Sequence, residues 1–250
     1  MIVGQRATSL RGDGVRMVQP DWRLIGRGLY SPAEAARLTG VPIRRINRWT
    51  RGYWFLHNGK RRWSEPVIGL SIRKIVNAPV LEFADLIEVR FLSRFRDCGI
   101  GWPAIRLAAK RAKEILGTSH PFSSKRFTTD GHTILAELVD QAGDHHLLDL
   151  VRNQWEFERL VVKFLQRGLH YDGKDGPQWW CPLGDDRKVV IHPARAFGAP
   201  IVTPGSIRTL ILCNAYKAEG SHEAVARWYK VEPDAVADAV EFEQGLRRAA

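Results

Sequence analysis

Apolar residues recur at helical spacing along much of the chain, which predicts a mainly α protein. Between residues 81 and 98 they return every three or four positions and so line one face of a helix. That face holds Phe83, Leu86, Ile87, Phe91, Phe95 and Cys98. Similar spacing predicts further helices at 102–116, 154–166, 205–218, 221–229 and 233–247. Short apolar runs bounded by turn residues predict a few strands, so the fold class is mainly α within an α+β architecture.

Two short helices joined by a tight turn are predicted at residues 31–50. Ser31 lies three residues before Glu34, which is the spacing of a capping box at a helix start. Gly40 suits the turn because glycine tolerates a positive φ angle. A second helix begins at Pro42, and its apolar face holds Ile43, Ile46 and Trp49. Two helices connected in this way form a helix-turn-helix.

The polar face of the second helix is strongly basic. It carries Arg44, Arg45, Asn47 and Arg48, and Arg51 follows at the end of the helix. Arginine pairs with guanine edges and phosphates, and asparagine pairs with adenine. We therefore expect this helix to enter the major groove of double-stranded DNA. The alternative is a basic helix face that is merely solvated.

A basic hairpin is predicted directly after these helices. Asn58-Gly59 separates two aromatic-rich runs, and both residues accept the positive φ of a type I′ turn. Lys60, Arg61 and Arg62 lie at the tip, where we expect them to hold backbone phosphates as the wing of a winged helix-turn-helix. We expect four aromatic residues to pack this wing onto the helices instead of stacking on bases: Tyr53, Trp54, Phe55 and Trp63.

The net charge of +11 is concentrated in the N-terminal half. Residues 1–118 hold 22 Lys and Arg against 9 Asp and Glu, whereas the remaining residues hold 16 against 18. The first part thus carries +13 and the second −2, which places the basic excess where a polyanion would bind. We predict a flexible basic tail at 1–24, a DNA-binding domain at 25–118, an α+β middle region at 119–185 and a helical module at 186–250.

Turn residues organise the predicted middle region. Asp130-Gly131 predicts a hairpin across 127–139, and a strand at 178–182 is expected to pair with 188–191. Trp179 and Trp180 are candidates for contact with a second copy of the chain or with a partner. Alternatively, both are ordinary packing residues.

The C-terminal module begins with an irregular loop and continues into three helices. In the loop, Arg195 and Phe197 are further candidates for partner contacts. The last two helices are spaced like another helix-turn-helix, but its second helix and the residues before it are acidic: Glu232, Asp234, Asp238, Glu241 and Glu243. Because acidic side chains oppose phosphate binding, we expect this unit to pack within a dimer or meet a protein partner.

Catalytic, metal-binding and membrane motifs are not apparent in the sequence. Cys98, Cys181 and Cys213 are far apart and are expected to be buried small side chains, neither disulfides nor zinc ligands. The adjacent His145 and His146 point in different directions, and Asp185-Asp186 suits a solvated turn. No apolar run approaches the roughly 18 residues of a membrane span, and no secretion signal is seen. We expect a cytoplasmic protein that is not an enzyme and has no cofactor or metal.

Two parts of the sequence resemble a known family. The runs LYSPAEAARLTGVPIRRINRW and LEFADLIEVRFLSRFRDCGIGWPAIRLAAKRAKEIL resemble the MerR-like half of a family of VapB-like antitoxins. The run RKVVIHPARAFGAPIV and the helices from Thr203 resemble the small helical module of that family. The resemblance covers roughly residues 25–118 and 186–250. One departure is that MerR-like recognition helices often begin with Ser and Pro, whereas this chain has Pro42 and Ile43 and lacks that side-chain cap.

The resemblance implies an antitoxin that neutralises a PIN-type ribonuclease toxin and represses its own operon. Such a protein would bind a palindromic operator as a homodimer. A second hypothesis is a MerR-like transcription regulator that senses a small ligand through residues 119–185 and has no toxin partner. A third is an enzyme that uses its basic half only to recruit nucleic acid.

Overall fold

A computed structural model describes residues 24–70, 79–152, 163, 167–171 and 175–248. The predicted tail at 1–24 and the predicted helix at 154–166 lie outside these residues, except for Leu24 and Lys163. The described helices are α1 Pro32–Thr39, α2 Ile43–Arg51, α3 Phe83–Asp97, α4 Trp102–Leu116, α5 Lys125–Ala136, α6 Val139–Ala142, α7 His145–Arg152, α8 Thr209–Glu219, α9 His222–Tyr229 and α10 Pro233–Arg248. None of them is long and apolar enough to cross a membrane.

The described strands are short and form three antiparallel sheets. They are β1 Leu29–Tyr30, β2 Tyr53–His57, β3 Lys60–Ser64, β4 Leu81–Glu82, β5 Leu169–His170, β6 Trp179–Trp180, β7 Val189–Ile191, β8 Pro200–Val202 and β9 Ile207–Arg208. β1 pairs with β4, β2 pairs with β3, and β5 to β9 form one sheet in sequence order. The predicted mainly α architecture with a smaller β component is therefore confirmed.

The helix-turn-helix forms as its capping residues predict. The Ser31 hydroxyl accepts a hydrogen bond from the Glu34 backbone N–H at 3.2 Å, and the Ser31 backbone N–H donates to the Glu34 carboxylate at 2.8 Å. Gly40 ends α1 with φ 70°, and its N–H donates to the Ala36 carbonyl. Ile46 is buried on the inner face of α2, but Ile43 at the first position of that helix is 43% exposed. Local sequence signals thus account for α1 and the turn, whereas α2 begins after Pro42 without a side-chain cap.

The predicted hairpin at 127–139 is wrong, because these residues form most of α5 and the short turn after it. The Ser124 hydroxyl caps α5 by accepting a hydrogen bond from the Phe127 N–H at 3.1 Å. Helical spacing then buries Phe127 and Ile134 on one side. The Phe127 ring contacts three other buried rings, those of Phe91, Phe95 and Phe122. This long-range aromatic packing outweighs the local turn preference of Asp130-Gly131.

The five-stranded sheet links the predicted middle region to the C-terminal module. Trp180 pairs with Ile191 across β6 and β7, as the sequence predicts. Strands on both sides of residue 185 therefore belong to one sheet, and the predicted boundary at 185/186 falls inside it. The division into domains otherwise stays a prediction.

The C-terminal helices pack against the helix-turn-helix. Arg37 of α1 forms an ion pair with Glu243 of α10 at 3.1 Å, and the Thr209 hydroxyl donates to the other Glu243 oxygen at 2.6 Å. On the other side, the Tyr30 hydroxyl donates to the Gly198 carbonyl at 2.9 Å. These contacts fix the position of the α1–α2 unit on the rest of the chain.

Candidate nucleic-acid interface

The outer face of α2 presents three arginines to solvent. Arg44, Arg45 and Arg48 are exposed, while Ile46 and Trp49 hold the inner face of the helix in the core. Within the described parts of the chain, none of these arginines forms an ion pair. An arginine without a carboxylate partner keeps its full donor set for a phosphate or a guanine edge.

Asn47 differs from its arginine neighbours. It is half-buried, and its side-chain oxygen is buried with no hydrogen-bond partner in the described structure. The oxygen therefore points toward the protein, and adenine recognition through both amide atoms would require this side chain to rotate. The arginines are better placed than Asn47 to contact a base.

Arg48 is held in place by the first residue of the wing. Its guanidinium carbon lies 5.1 Å from the centre of the Tyr53 ring, which is the geometry of a cation–π contact. Arg51, at the end of α2, is exposed. The predicted set on α2 is thus brought together on one side of the molecule, with Asn47 as its most enclosed member.

The wing follows α2 directly and is fixed at its base. Asn58 and Gly59 form the predicted two-residue turn with φ 50° and 71°, and β2 pairs with β3 along five residue pairs. At the base, Arg106 of α4 donates to the Ser64 hydroxyl at 2.7 Å. The Val67 and Ile68 N–H groups both donate to the Trp49 carbonyl. The hairpin is therefore anchored at the helices while its tip projects away.

The basic side chains of the wing lie on two different faces. Lys60, Arg61 and Arg62 are all exposed, but successive side chains of a strand point to opposite sides. Arg61 is paired with Leu56 and lies over the Trp54 ring at 5.4 Å, whereas Arg62 is paired with Phe55. Arg61 and Arg62 therefore cannot both make the same contact with the phosphates of one DNA strand.

The expectation that all four wing aromatics pack on the helices is wrong. Trp54 is 58% exposed and Phe55 is 39% exposed, while the neighbouring Leu56 is 74% exposed. These side chains are therefore left facing solvent beyond the anchored base of the hairpin. Trp54 instead contacts Trp63 across the two strands, with 5.4 Å between ring centres.

The four predicted partner-binding residues have different environments. Trp180 is 6% exposed and lies beneath the guanidinium of Arg90, 4.0 Å from it, which agrees with the alternative of an ordinary packing residue. Trp179 is half-buried between two histidine rings. Arg195 and Phe197 are exposed on one loop, where Phe197 has φ 57° and is 75% exposed. Of the four, only this loop presents open surface.

Sequence reasoning missed a buried polar cluster beside α3. Asp85 accepts from the His120 Nε2 at 2.8 Å, and Glu88 accepts from the Ser123 N–H at 2.9 Å. Burial raises the pKa of Glu88 to about 7. Burial alone would lower the pKa of His120, but the hydrogen bond and charge of Asp85 outweigh it, so that pKa is raised. The cluster holds the segment after α4 against α3.

Comparisons with known proteins agree with this geometry. Residues 28–109, which include α1, α2, the wing and α3, match the family described as "Putative DNA-binding HTH domain". The chain is 27% identical over 222 residues to the Mycobacterium tuberculosis protein named "Putative antitoxin VapB45", and the match covers 85% of this chain and 92% of that protein.

A solved structure extends this similarity to the fold. The crystal structure of Rv2018 from Mycobacterium tuberculosis matches with a TM-score of 0.68 at 25% identity, covering 84% of this chain and 96% of that one. A match of this extent is longer than residues 28–109, so the structural similarity is not limited to the DNA-binding HTH domain. The resemblance inferred from the sequence is thus confirmed: the chain is similar to a protein named as a VapB-type antitoxin, and it contains a matching helix-turn-helix domain.

Proposed function

We propose that this chain is an antitoxin that binds a PIN-type ribonuclease toxin and represses its own operon by binding operator DNA. The observation that carries the DNA-binding part is the set of three exposed arginines on α2 beside a basic wing. The similarity to a protein named as an antitoxin supports the toxin-binding part. Neither role requires catalysis, and we propose that the chain is not an enzyme.

In the proposed DNA complex, α2 lies in the major groove and the wing lies along the phosphate backbone. A major groove about 12 Å wide admits one helix, so Arg44, Arg45 and Arg48 would reach base edges or flanking phosphates. The wing residues would set position, because phosphate contacts fix orientation without reading sequence. Arg48 would enter the groove already oriented by Tyr53.

A homodimer follows from the small size of this interface. One recognition helix contacts only a few base pairs, so sequence-specific repressors of this kind bind two half-sites about 34 Å apart. A palindromic operator then matches the twofold symmetry of the protein. We propose the same arrangement for this chain.

The C-terminal module offers the best surface for the toxin. Phe197 is exposed near Arg195 in this module, and three large apolar side chains of α8 and α9 are also exposed: Leu210, Ile211 and Trp228. Exposed aromatic and arginine side chains are typical of protein interfaces. The helical pattern of α8 and α9 did not single out these residues, because a single sequence does not show which apolar positions lack a neighbour.

The test is to co-express the chain with the open reading frames beside its gene and identify what co-purifies. A stoichiometric nuclease that is toxic alone and inactive in the complex would support the antitoxin function. Phe197→Ala and Trp228→Ala should release that nuclease while leaving operator binding intact. A chain that binds its promoter but captures no toxin would contradict the antitoxin part.

The second candidate is a ligand-sensing transcription regulator. It is favoured by a cleft of about 590 Å³ that touches α1, the region around β6 and α10, with Arg37, Trp180 and Phe242 among its lining residues. A ligand bound there would contact both the helix-turn-helix and the C-terminal module. A change of operator affinity on adding small-molecule cell extract to the pure protein would support this candidate over the first.

A further inference from the structure

Three potential metal ligands meet at the edge of the five-stranded sheet. A ring nitrogen of His170, the Sγ atom of Cys181 and a carboxylate oxygen of Asp185 all lie within 4.8 Å of one another. His170 and Asp185 are in direct contact, with 2.6 Å between Nε2 and Oδ1. Imidazole, thiolate and carboxylate are the three side-chain ligands that proteins use for zinc.

The backbone of the sheet and its turns brings these three ligands together. His170 lies in β5, Cys181 directly follows β6, and Asp185 lies in the turn between β6 and β7. The Cys181 N–H donates to the Gly168 carbonyl at 2.6 Å, and the Gly184 N–H donates to the Cys181 carbonyl at 3.0 Å. Gly168 has φ 68°, and a Cβ there would lie 2.0 Å from the Cys181 oxygen. The close approach of the two segments therefore requires glycine at that position.

The imidazole of His170 is also held in a defined orientation. Its ring stacks on Trp179 with 4.8 Å between centres and 11° between planes. The opposite face of Trp179 is covered by His192, with 6.1 Å between centres and 4° between planes. This stack directs Nε2 of His170 toward Asp185 instead of toward open solvent. Rings that orient a ligand in this way reduce the ordering cost of metal binding.

We propose that His170, Cys181 and Asp185 form a binding site for a divalent transition metal of the zinc class. The thiolate and imidazole favour zinc over calcium or magnesium, which prefer oxygen ligands. The Cys181 side is buried, while the Asp185 side chain is 62% exposed, so a water molecule has room to be the fourth ligand. This site is independent of the proposed DNA and toxin contacts.

Binding would require only a local rearrangement. In tetrahedral zinc sites with bond lengths of about 2.0–2.3 Å, ligand atoms lie roughly 3.5 Å apart. The His170–Asp185 pair would open from its hydrogen-bonded distance, the Cys181 thiol proton and the proton between His170 and Asp185 would be released to solvent, and the ion would bind the three freed ligand atoms. The metal would then fasten the β6–β7 turn to the edge strand β5. The same sheet carries Trp180, which contacts Arg90 of α3.

The test uses the full chain after treatment with a chelator, followed by titration with Zn²⁺ and Co²⁺ salts. The wild type should bind one zinc ion with high affinity, and cobalt should produce a thiolate-to-metal charge-transfer band. Cys181→Ser should remove the band and lower zinc affinity at least tenfold. Cys213→Ser is the matched control, because Cys213 is equally buried but lies outside the cluster.

Asp185→Asn keeps the proposal testable if Cys181→Ser fails to fold. Asp185 is exposed, so this variant should fold normally yet bind zinc at least tenfold more weakly. Zinc should raise the Tm of the wild type but not the Tm of this variant. The proposal would be overturned if the wild type is saturated with cobalt and shows no charge-transfer band, or if Asp185→Asn and the wild type bind zinc with equal affinity. Loss of the band in Cys213→Ser would also overturn it.

Discussion

The chain contains two units with similar local geometry, α1–α2 and α9–α10, but opposite surface chemistry. Each first helix begins at a capping serine, and each ends at a residue with positive φ, Gly40 in one unit and Lys230 in the other. The second helix of the N-terminal unit presents arginines to solvent. The second helix of the C-terminal unit instead directs acidic residues toward its own chain. Helix-turn-helix geometry alone therefore does not specify a DNA-binding surface.

Three acidic residues of α10, Asp238, Glu241 and Glu243, have partners within the protein. Arg187 donates to Asp238 at 2.6 Å and also contacts Glu241, while the Lys188 N–H donates to Asp238 at 2.7 Å. Glu243 is 1% exposed and is shared between Thr209 and Arg37. These three charges of α10 thus hold the fold together, whereas the arginines of α2 remain available for a ligand.

The largest expected effect is on stability, from Glu243→Ala. This change leaves the buried Thr209 hydroxyl with only the Pro200 carbonyl, 3.5 Å away, as an acceptor, and it removes the ion pair to α1. Loss of one member of a buried polar pair destabilises the fold by on the order of 2–4 kcal/mol. Part of this cost is offset because water can hydrate the freed Arg37 side chain. Urea unfolding measures the change. Glu219→Ala, an exposed substitution at the end of α8, is the control and should shift the free energy of unfolding by under about 0.5 kcal/mol. Equal effects would contradict the role of Glu243.

A second buried acid, Glu88, accepts a hydrogen bond but has no directly paired cation in the described structure. It therefore tests how an unpaired buried charge affects the stability of the fold. Because burial raises its pKa from 4.5 in the unfolded chain to about 7, ionisation of Glu88 destabilises the fold as pH rises through this range. Glu88→Gln keeps an oxygen for the Ser123 N–H and removes the charge. The variant should therefore gain roughly 2–3 kcal/mol relative to the wild type between pH 5 and pH 8. A difference that does not change with pH would contradict a raised pKa.

Local signals were sufficient to predict the helix-turn-helix and the wing turn, but not the features that depend on distant residues. Ser31, Gly40 and Asn58-Gly59 each act within a few positions, so the sequence reveals them directly. Asp130-Gly131 predicts a hairpin where α5 forms, because the contacts that decide the structure there come from Phe91 and Phe95, which lie more than thirty residues away in the sequence.

The candidate sites also differ in whether local signals or distant residues determine them. The arginines of α2 were predictable from their spacing, since the buried face of that helix fixes the exposed one. The cluster of His170, Cys181 and Asp185 was not, because its members are brought together by sheet pairing and a turn instead of a short motif. Strands of two or three residues are too short to show a periodic pattern.

The comparison of the two units predicts where DNA affinity resides. Arg45→Ala should weaken operator binding by about 1–3 kcal/mol and reduce discrimination against random DNA, if Arg45 meets a base edge. Arg227→Ala removes an equally exposed arginine from α9 and should leave both affinities unchanged. Fluorescence anisotropy with operator and random duplexes measures the effect. A loss that is equal on both duplexes would show that Arg45 contacts only phosphate.

The smallest expected effect concerns the wing. Arg61→Ala should weaken operator and random DNA alike, because a phosphate contact carries no sequence information. The slope of log affinity against log salt should fall by about 1, the value for one lost phosphate contact. Arg62→Ala is the matched comparison, since Arg62 lies on the opposite face of the hairpin, paired with Phe55. A fall in slope for only one of the two variants would identify the face of the wing that meets DNA. An unchanged slope for both would mean that the wing does not contact the backbone, and that α2 alone distinguishes the basic unit from its acidic counterpart.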